Sequence, residues 1–553
     1  MPTWYVYDRT GYQTYADYFD DAESIRNLSR VFPIVFFMVA VLVSLISMSR
    51  MVEMDRMEIG TLKSMGYTRE KVITKYAFFS VLATLTGSVI GAVLGLTIMP
   101  TMIFNIYGIL FDIPKLYLGP NWLITILGFV TVMVLVVGAG MFKAIQVMRE
   151  KPSDLLRPKA PKPGKRIILE RIEPLWRKIR FSDKITIRNL FRYKRRLFVT
   201  VFGITGCTSL ILCGFGLKDA IVDIPDAQFK RVFDLDAMVY LTGMDNSRHD
   251  SEKLDRIFNE EEITGYTESV RMNCLCEGYE ADILAFEKTD DIRKVLTLSD
   301  SKTGEPIIPE SGKAVITSKL ARLTGLKEGD EVVLTDLDHT EQKYTIHAIA
   351  ENYFEHYIII DKDALEKYTE YKPNLFYLKT VDMTKEEQED LTKRLLSAPQ
   401  VLNVTYKEKL IDNANNMLTS LDKVVVILIL LSAALSLVVL YNLSNININE
   451  RHREIATLKV LGFYDKEVDD YINKENIIVT VIGIAAGLLI GIFLTKVVVG
   501  TVEIEKASFI NRIKPLSYVF AAAMSSAFTV LVNFITHFNL KKINMIDSLK
   551  SVE

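Results

Sequence analysis

Cysteine and histidine are scarce in this chain, with four and six among 553 residues. Cys207 and Cys213 fall within one apolar run, while Cys274 and Cys276 stand two apart, too close for an easy disulfide. The sequence therefore argues against a disulfide-stapled domain, and buried thiols are the expectation. His249, His339, His347, His356, His452 and His537 form no HExxH or related ligand spacing, so no metal site is expected. There is no GxxxxGK[ST] loop to cradle ATP phosphates and no GxSxG nucleophile elbow. No catalytic residue is nominated.

Charge is missing from a third place, the centres of the long apolar runs. These runs lie at roughly 32–49, 77–100, 122–146, 197–217, 423–443, 475–498 and 516–537. Each is long enough to cross ~30 Å of hydrocarbon as a helix. The expectation is an α-helical integral membrane protein with about seven spans, facing membrane lipid. Intramembrane charges usually mark an ion or solute path, because they are costly there. Their near absence makes passage of a hydrophilic solute through these helices an unfavoured reading.

What charge there is lies in the loops. Six Lys/Arg fall between Arg50 and Lys75, and seventeen fall in 147–196 against five acids. The loop 101–121 has only Lys115. The positive-inside rule places the first two loops in the cytoplasm and the third outside. The segment 218–420 follows a span leaving the cytoplasm, so it reads as an external domain. The net charge of -2 hides this segregation, and no nucleic-acid partner is expected. Seven spans with a cytoplasmic C-terminus put Met1 outside. The chain thus reads as the later part of a longer protein, whose earlier part would hold another span and most of a first external domain.

One polar motif occurs twice. "MEIGTLKSMGYTREKV" at 57–72 aligns without a gap to "REIATLKVLGFYDKEV" at 453–468, at an offset of 396. Glu58, Ile59, Leu62, Lys63 and Gly66 match Glu454, Ile455, Leu458, Lys459 and Gly462. Ile59, Leu62 and Met65 form one helical stripe, and the glycine fits a helix C-cap. Each motif is followed by a glycine triplet at the same offset: Gly87, Gly91, Gly95 and Gly483, Gly487, Gly491. Such stripes let another helix approach closely. Asp154 and Leu156 also match Asp547 and Leu549 after each half. Four spans separate the motifs, so both face the cytoplasm in a parallel duplication. Inverted repeats would need an odd number.

Between the halves, "RPKAPKPGKR" is a solvated, semi-rigid linker. "DKITIRNLFRYKRRLF" reads either as a basic helix at the inner leaflet or as the positive flank of the next span. In 218–420, "DAMVYL", "EVVLTDL", "KYTIHAIAE" and "HYIIID" are strand-like. A β-α-β run closes the segment, "PNLFYLKTVD", "TKEEQEDLTKRLLSA", "VLNVTYKE", giving an α+β domain with two expected subdomains. Helical stalks precede the spans at 32 and 423.

With these motifs the chain resembles FtsX-like and MacB-like ABC-transporter permeases, over about 23–216 and 421–553. "PSDLLRP" and "IRNLFRYKRR" share in the resemblance. It implies a remnant of a first external domain at 1–22 and a first permease domain at 23–150 with three spans. A linker with a basic interfacial helix follows at 151–196, then a span at 197–217 and a MacB-like external domain at 218–420. A second permease domain with three spans occupies 421–553. It also implies coupling helices near 51–67 and 447–463. These would dock on a cytoplasmic ABC ATPase homodimer, with ATP and Mg bound there and no cofactor in this chain. The apolar Ile59/Leu62 and Ile455/Leu458 would enter its grooves, with Glu58, Lys63, Glu454 and Lys459 at the rim. An extracellular or envelope partner fits the same picture. The implied function is a bacterial plasma-membrane permease subunit, not itself an enzyme. ATP hydrolysis would drive extrusion of a lipid, lipoprotein, peptide or drug, or mechanotransmission. Two other readings are a permease for antimicrobial-peptide sensing and detoxification, and a membrane-anchored receptor or enzyme.

Overall fold

The computed structural model describes residues 51–107, 115–156 except 118, 194–242, 248–336, 340–450 and 464–541 except 504, with Lys184, Arg188, Gly462 and scattered positions in 22–49. The remnant at 1–22 apart from one residue, most of the linker and basic helix, residues 453–463 of the second polar motif apart from Gly462, and the tail with Asp547 and Leu549 lie outside the described residues. The chain divides into two compact units. One contains Asp219–Asp422 and Val502–Asn511; the other contains Arg26–Lys218, Lys423–Thr501 and Arg512–Glu553.

Along the chain, the elements that matter here are α1 (Arg56–Ser64), α2 (Arg69–Tyr107), α3 (Trp122–Met148), α4 (Pro152–Leu156), α5 (Lys194–Val222), β1 (Ala237–Leu241), α6 (Arg248–Phe258), β2 (Ile263–Cys276) and β3 (Tyr279–Phe286). They continue with β4 (Ala314–Thr317), α7 (Ser318–Thr324), β5 (Glu331–Asp336), β6 (Glu341–Ala350), β7 (Tyr357–Asp361), β8 (Leu375–Thr380) and α8 (Lys385–Leu396). The last are β9 (Val401–Tyr406), α9 (Lys407–Glu450), α10 (Asp465–Val502) and α11 (Pro515–Lys541).

Six helical stretches among the described residues are long and apolar enough to cross a membrane: 69–105, 122–148, 200–232, 422–445, 474–502 and 515–535. A seventh expected span, 32–49, is only partly described. Within the helical unit, α5 is the central helix. Cys207 and Leu210 pack on Val439 and Leu443, Ile204 on Leu440, Val479 and Val532, and Ile211 and Leu212 on Ala521. Its hydroxyls stay satisfied in this dry setting: Thr208 Oγ1 donates to Ser525 Oγ at 3.0 Å and Thr205 Oγ1 to the Gly483 carbonyl at 3.2 Å. The two halves meet where Asn442 Nδ2 donates to Ser47 Oγ at 2.7 Å.

The other unit is α+β, built on one long strand used twice. The first part of β2 pairs antiparallel with β8, and β1 lies between β8 and β9, giving the order β9-β1-β8-β2. With α6 after β1 and α8 before β9, this is a split β-α-β arrangement. Leu254, Ile257, Phe258, Leu391 and Leu395 bury the helices on its face. The second part of β2 pairs with β3 and β5, and the ladder runs β3-β7-β4-β6-β5 back to β2. That closes a small six-stranded ring, which leaves those strands without a free edge. Its interior holds Cys274, Cys276, Ile283, Ile316, Val332, Leu334, Ile346 and Ile358. Strand β6 shows the expected alternation, with Gln342, Tyr344 and Ile346 inward and Glu341, Lys343 and Thr345 outward. All four cysteines are buried and none is in a disulfide, and burial pushes the Cys276 thiol up to about 11.

Candidate functional site

The first polar motif forms α1, a nine-residue helix that stops at a glycine corner. Gly66 has φ of 87°. That left-handed conformation lets the Tyr67 amide reach the Leu62 carbonyl at 3.1 Å and the Gly66 amide reach Lys63 at 3.2 Å. These two bonds make a Schellman motif, which satisfies carbonyls that a helix end leaves open. The chain then turns directly into α2. Gly462, its counterpart, has φ of 93°.

The structure corrects the expected use of the apolar stripe. Ile59 is 1% exposed and packs among Met48, Val52, Val72, Tyr76, Ala144 and Leu155, with Leu62 half-buried beside it. A helix in water needs an apolar face for its own fold, and here Ile59 is consumed by that need. It cannot also enter a partner's groove. Glu58 and Lys63 likewise have partners within the chain. Glu58 Oε1 accepts from Lys75 Nζ at 2.7 Å, and Lys63 Nζ donates to the Met148 carbonyl at 2.9 Å. Lys63 thereby covers the C-terminal carbonyls of α3.

These contacts clamp α1 to the end of α3 and to α4. Arg56 pairs with Glu150 and donates to the Asp154 carbonyl at 3.0 Å. Leu155 is fully buried, and a methyl group on Gly60 would lie 3.0 Å from Leu155 Cβ. Tyr76 Oη donates to Asp55 Oδ2 at 3.0 Å, tying the start of α1 to α2. The face left open carries Met54, Met57, Thr61, Ser64 and Met65, followed by Tyr67. Methionines on an exposed helix face adapt readily to a partner surface. Ile455, Leu458, Glu454 and Lys459 lie outside the described residues.

Gly483, Gly487 and Gly491 lie buried against α5, whereas Gly87, Gly91 and Gly95 are exposed along α2.

A second junction lies in the α+β unit and carries no local sequence signal. The segment 352–356 receives chain from two directions. After α5, buried Gln228 donates to Asn352 Oδ1 at 2.8 Å and accepts from the amides of Tyr353 and Phe354 at 3.0 and 3.1 Å. After α10, the loop forms a β-bridge with the same segment, Ala507 opposite Phe354. The Glu355 amide donates to the Lys506 carbonyl at 2.7 Å, and the Ser508 amide to the Tyr353 carbonyl at 2.9 Å. Glu503 anchors the loop. It pairs with Lys319 at 2.9 Å and Arg322 at 3.3 Å, both on α7, and accepts from the Phe509 amide at 2.8 Å. Burial opposes ionisation of Glu503, but Lys319, Arg322 and the Phe509 amide outweigh it and hold the carboxyl below its usual value. Burial lowers Lys319, with Glu503 offsetting part of the effect. Glu355 extends the junction inward to Arg271, which also binds Asp282 through Nε and Nη2 at 3.0 and 2.6 Å.

The sequence repeat, the six candidate spans among the described residues and the inserted α+β unit mark a duplicated membrane protein. The family model described as FtsX-like permease C-terminal matches residues 30–152 and 426–545, one match on each half. The chain carries two FtsX-like permease domains, and it is a multi-pass membrane protein. Permeases of this kind work with a cytoplasmic ABC ATPase carried on a separate subunit. Among solved structures, the chain is similar to the periplasmic region of MacB from Actinobacillus actinomycetemcomitans, at 8% identity and TM-score 0.22, covering 34% of this chain and 94% of that one. It is also similar to the extracellular domain of the noncanonic ABC-type transporter YknZ from Gram-positive bacteria, at 10% identity and TM-score 0.21, covering 31% and 100%. No curated protein matches.

Proposed function

We propose that this chain transmits mechanical work from a cytoplasmic ATPase dimer to its external α+β unit. ATP and Mg bind on the ATPase, which docks on the α1 motif and on its repeat at 453–463. The observation that carries this reading is the construction of α1. Its inner face is locked to α2, α3 and α4 by Ile59, Leu155, Arg56 and Lys63, while its outer face stays open and methionine-rich. A push on such a helix moves the ends of two spans together. Movement without a solute path also suits the second helical bundle, whose polar groups bond to one another, as Thr208 does with Ser525 and Asn476 with Asn533. What the external movement finally acts on would be a lipid, lipoprotein, peptide, drug or envelope protein.

The docking contact, on this reading, is the Met54–Met57–Thr61–Met65 face. Buried apolar anchors dominate such interfaces, while rim charges tune association. Placing carboxylates there with Met57→Asp and Met65→Asp should abolish co-purification of the ABC ATPase from detergent-solubilised membranes. Both positions point away from the fold, so membrane insertion should be retained. Undiminished ATPase recovery from the double variant would refute the docking site.

A further inference from the structure

The second half holds a polar pocket among its membrane helices. Helices α5, α9, α10 and α11 converge on a cavity of about 30 Å³ open to water centres. Six hydrogen-bonding side chains face it: Thr200, Ser444, Asn476, Thr480, Thr529 and Asn533. No charged side chain lines it among the described residues. All six lie within seven residues of one end of their candidate spans, about 10 Å of helix. That end is the one next to the second polar motif, since α9 leads toward the motif and α10 leads away from it.

One turn deeper the same seam is closed. Thr208 Oγ1 meets Ser525 Oγ directly at 3.0 Å, and a methyl group on Gly487 would lie 2.6 Å from Thr208 Cβ. Ile211 and Leu212 then pack on Ala521, all fully buried. In the pocket layer the polar groups surround room instead. Asn476 Nδ2 reaches Asn533 Oδ1 only at 3.4 Å, near the long limit of a hydrogen bond. Thr529 Oγ1 already donates to the Ser525 carbonyl at 2.9 Å, so toward the cavity its oxygen can only accept. Thr480 is buried and points into the same space.

We infer that this pocket binds water, about two molecules that bridge the amides and hydroxyls of α5, α9, α10 and α11. A buried water needs about 10–15 Å³ of such room and a few polar partners, and the pocket meets both conditions. An apolar cavity would stay dry. The lining offers no charge to offset the lost hydration of an ion, and the volume excludes a phospholipid headgroup. Water-mediated bonds hold groups together nearly as well as direct ones, and a bridging water can change partners as helices shift. The node therefore makes this end of the second half deformable, while the layer one turn deeper keeps its helices together.

The test is X-ray hydroxyl-radical labelling of the full chain in phosphatidylcholine–phosphatidylglycerol nanodiscs, read by mass spectrometry. Bound water is itself the probe, because radiolysis splits it in place, while a scavenger removes radicals born in bulk solution. Leu440 and Leu443 line the pocket at 5% and 3% exposure, and Leu210 and Leu212 lie deeper on α5 at 0%. Labelling should be roughly ten times faster at Leu440 and Leu443 than at Leu210 and Leu212. Thr480→Leu, which fills the cavity, should bring the first pair down to the second. Thr480→Val, nearly the same shape without the hydroxyl, serves where the leucine variant fails to fold, and it should slow labelling at Leu440 and Leu443 as well. Equally slow labelling of all four leucines in the native chain would overturn the proposal, since lipid or close packing would then fill the space. So would undiminished labelling in whichever variant folds, because water would then reach the leucines by another route.

Discussion

Gly60 and Leu155 meet at the close approach of α1 to α4. Leu155→Ala should loosen α4 from α1 at a cost of about 2–5 kcal/mol, the usual range for emptying a buried leucine site. Gly60→Val should do similar damage by crowding Leu155 Cβ, already 3.0 Å from a methyl placed there. Hydrogen exchange of the 56–64 amides would read both, and unchanged protection in the pair would show that the clamp is incidental. At the external junction, His356 is 3% exposed. Burial, followed by the nearby Lys319 and Lys506, pushes its pKa down to about 4 from an ordinary 6.5. A folded state that binds fewer protons loses stability as pH falls. The α+β unit should therefore be fully stable in this respect above pH 6.5 and weaken progressively toward about 4. His356→Leu should flatten that part of the stability-versus-pH curve, measured by denaturant unfolding followed at the α+β unit. The same slope in both proteins would remove His356 from the account.

Among the elements, the loop after α10 is the most informative. It is a connection between two spans, yet it adds a β-bridge to the 352–356 segment and drives Glu503 between Lys319 and Arg322. Both side chains of the Lys319–Glu503 pair are 9% exposed. Removing one partner strands the other charge, a loss of about 3–5 kcal/mol for a buried pair. Glu503→Gln should thus release the loop, raising proteolytic cleavage within 503–511 while the nine-stranded sheet remains folded. The ion pair is present above the ordinary glutamate value of 4.5 and is lost as pH falls through the lowered folded value, so acid should mimic the substitution. Cleavage rates that stay equal in wild type and variant at neutral pH would mean that the β-bridge alone holds the loop.

At the scale of the whole molecule, the spans, the parallel repeat and the α+β class were legible because each rests on a periodic or compositional signal. The glycine corner was legible for the same reason, since Gly66 ends an amphipathic stripe. The use of that stripe was not. Ile59 and Leu62 at i and i+3 look alike whether the face meets a partner or the chain's own α3 and α4. The difference between the two glycine triplets was equally hidden, because identical stripes acquire their meaning from the helix beside them. The Gln228–Asn352 and Lys319–Glu503 contacts join residues 124 and 184 positions apart, and no local pattern announces them.

The central claim is that ATPase action at α1 moves the external unit. The direct measurement is the distance between spin labels on Leu402→Cys of the α+β unit and Leu123→Cys at the start of α3, both exposed. It should be made in the full protein bound to its ATPase, without nucleotide and with ATP trapped in a hydrolysis-deficient ATPase. The account predicts that ATP shifts the distance distribution, and that Met57→Asp with Met65→Asp abolishes the shift. An unchanged distribution with the ATPase demonstrably bound and ATP-loaded would contradict it.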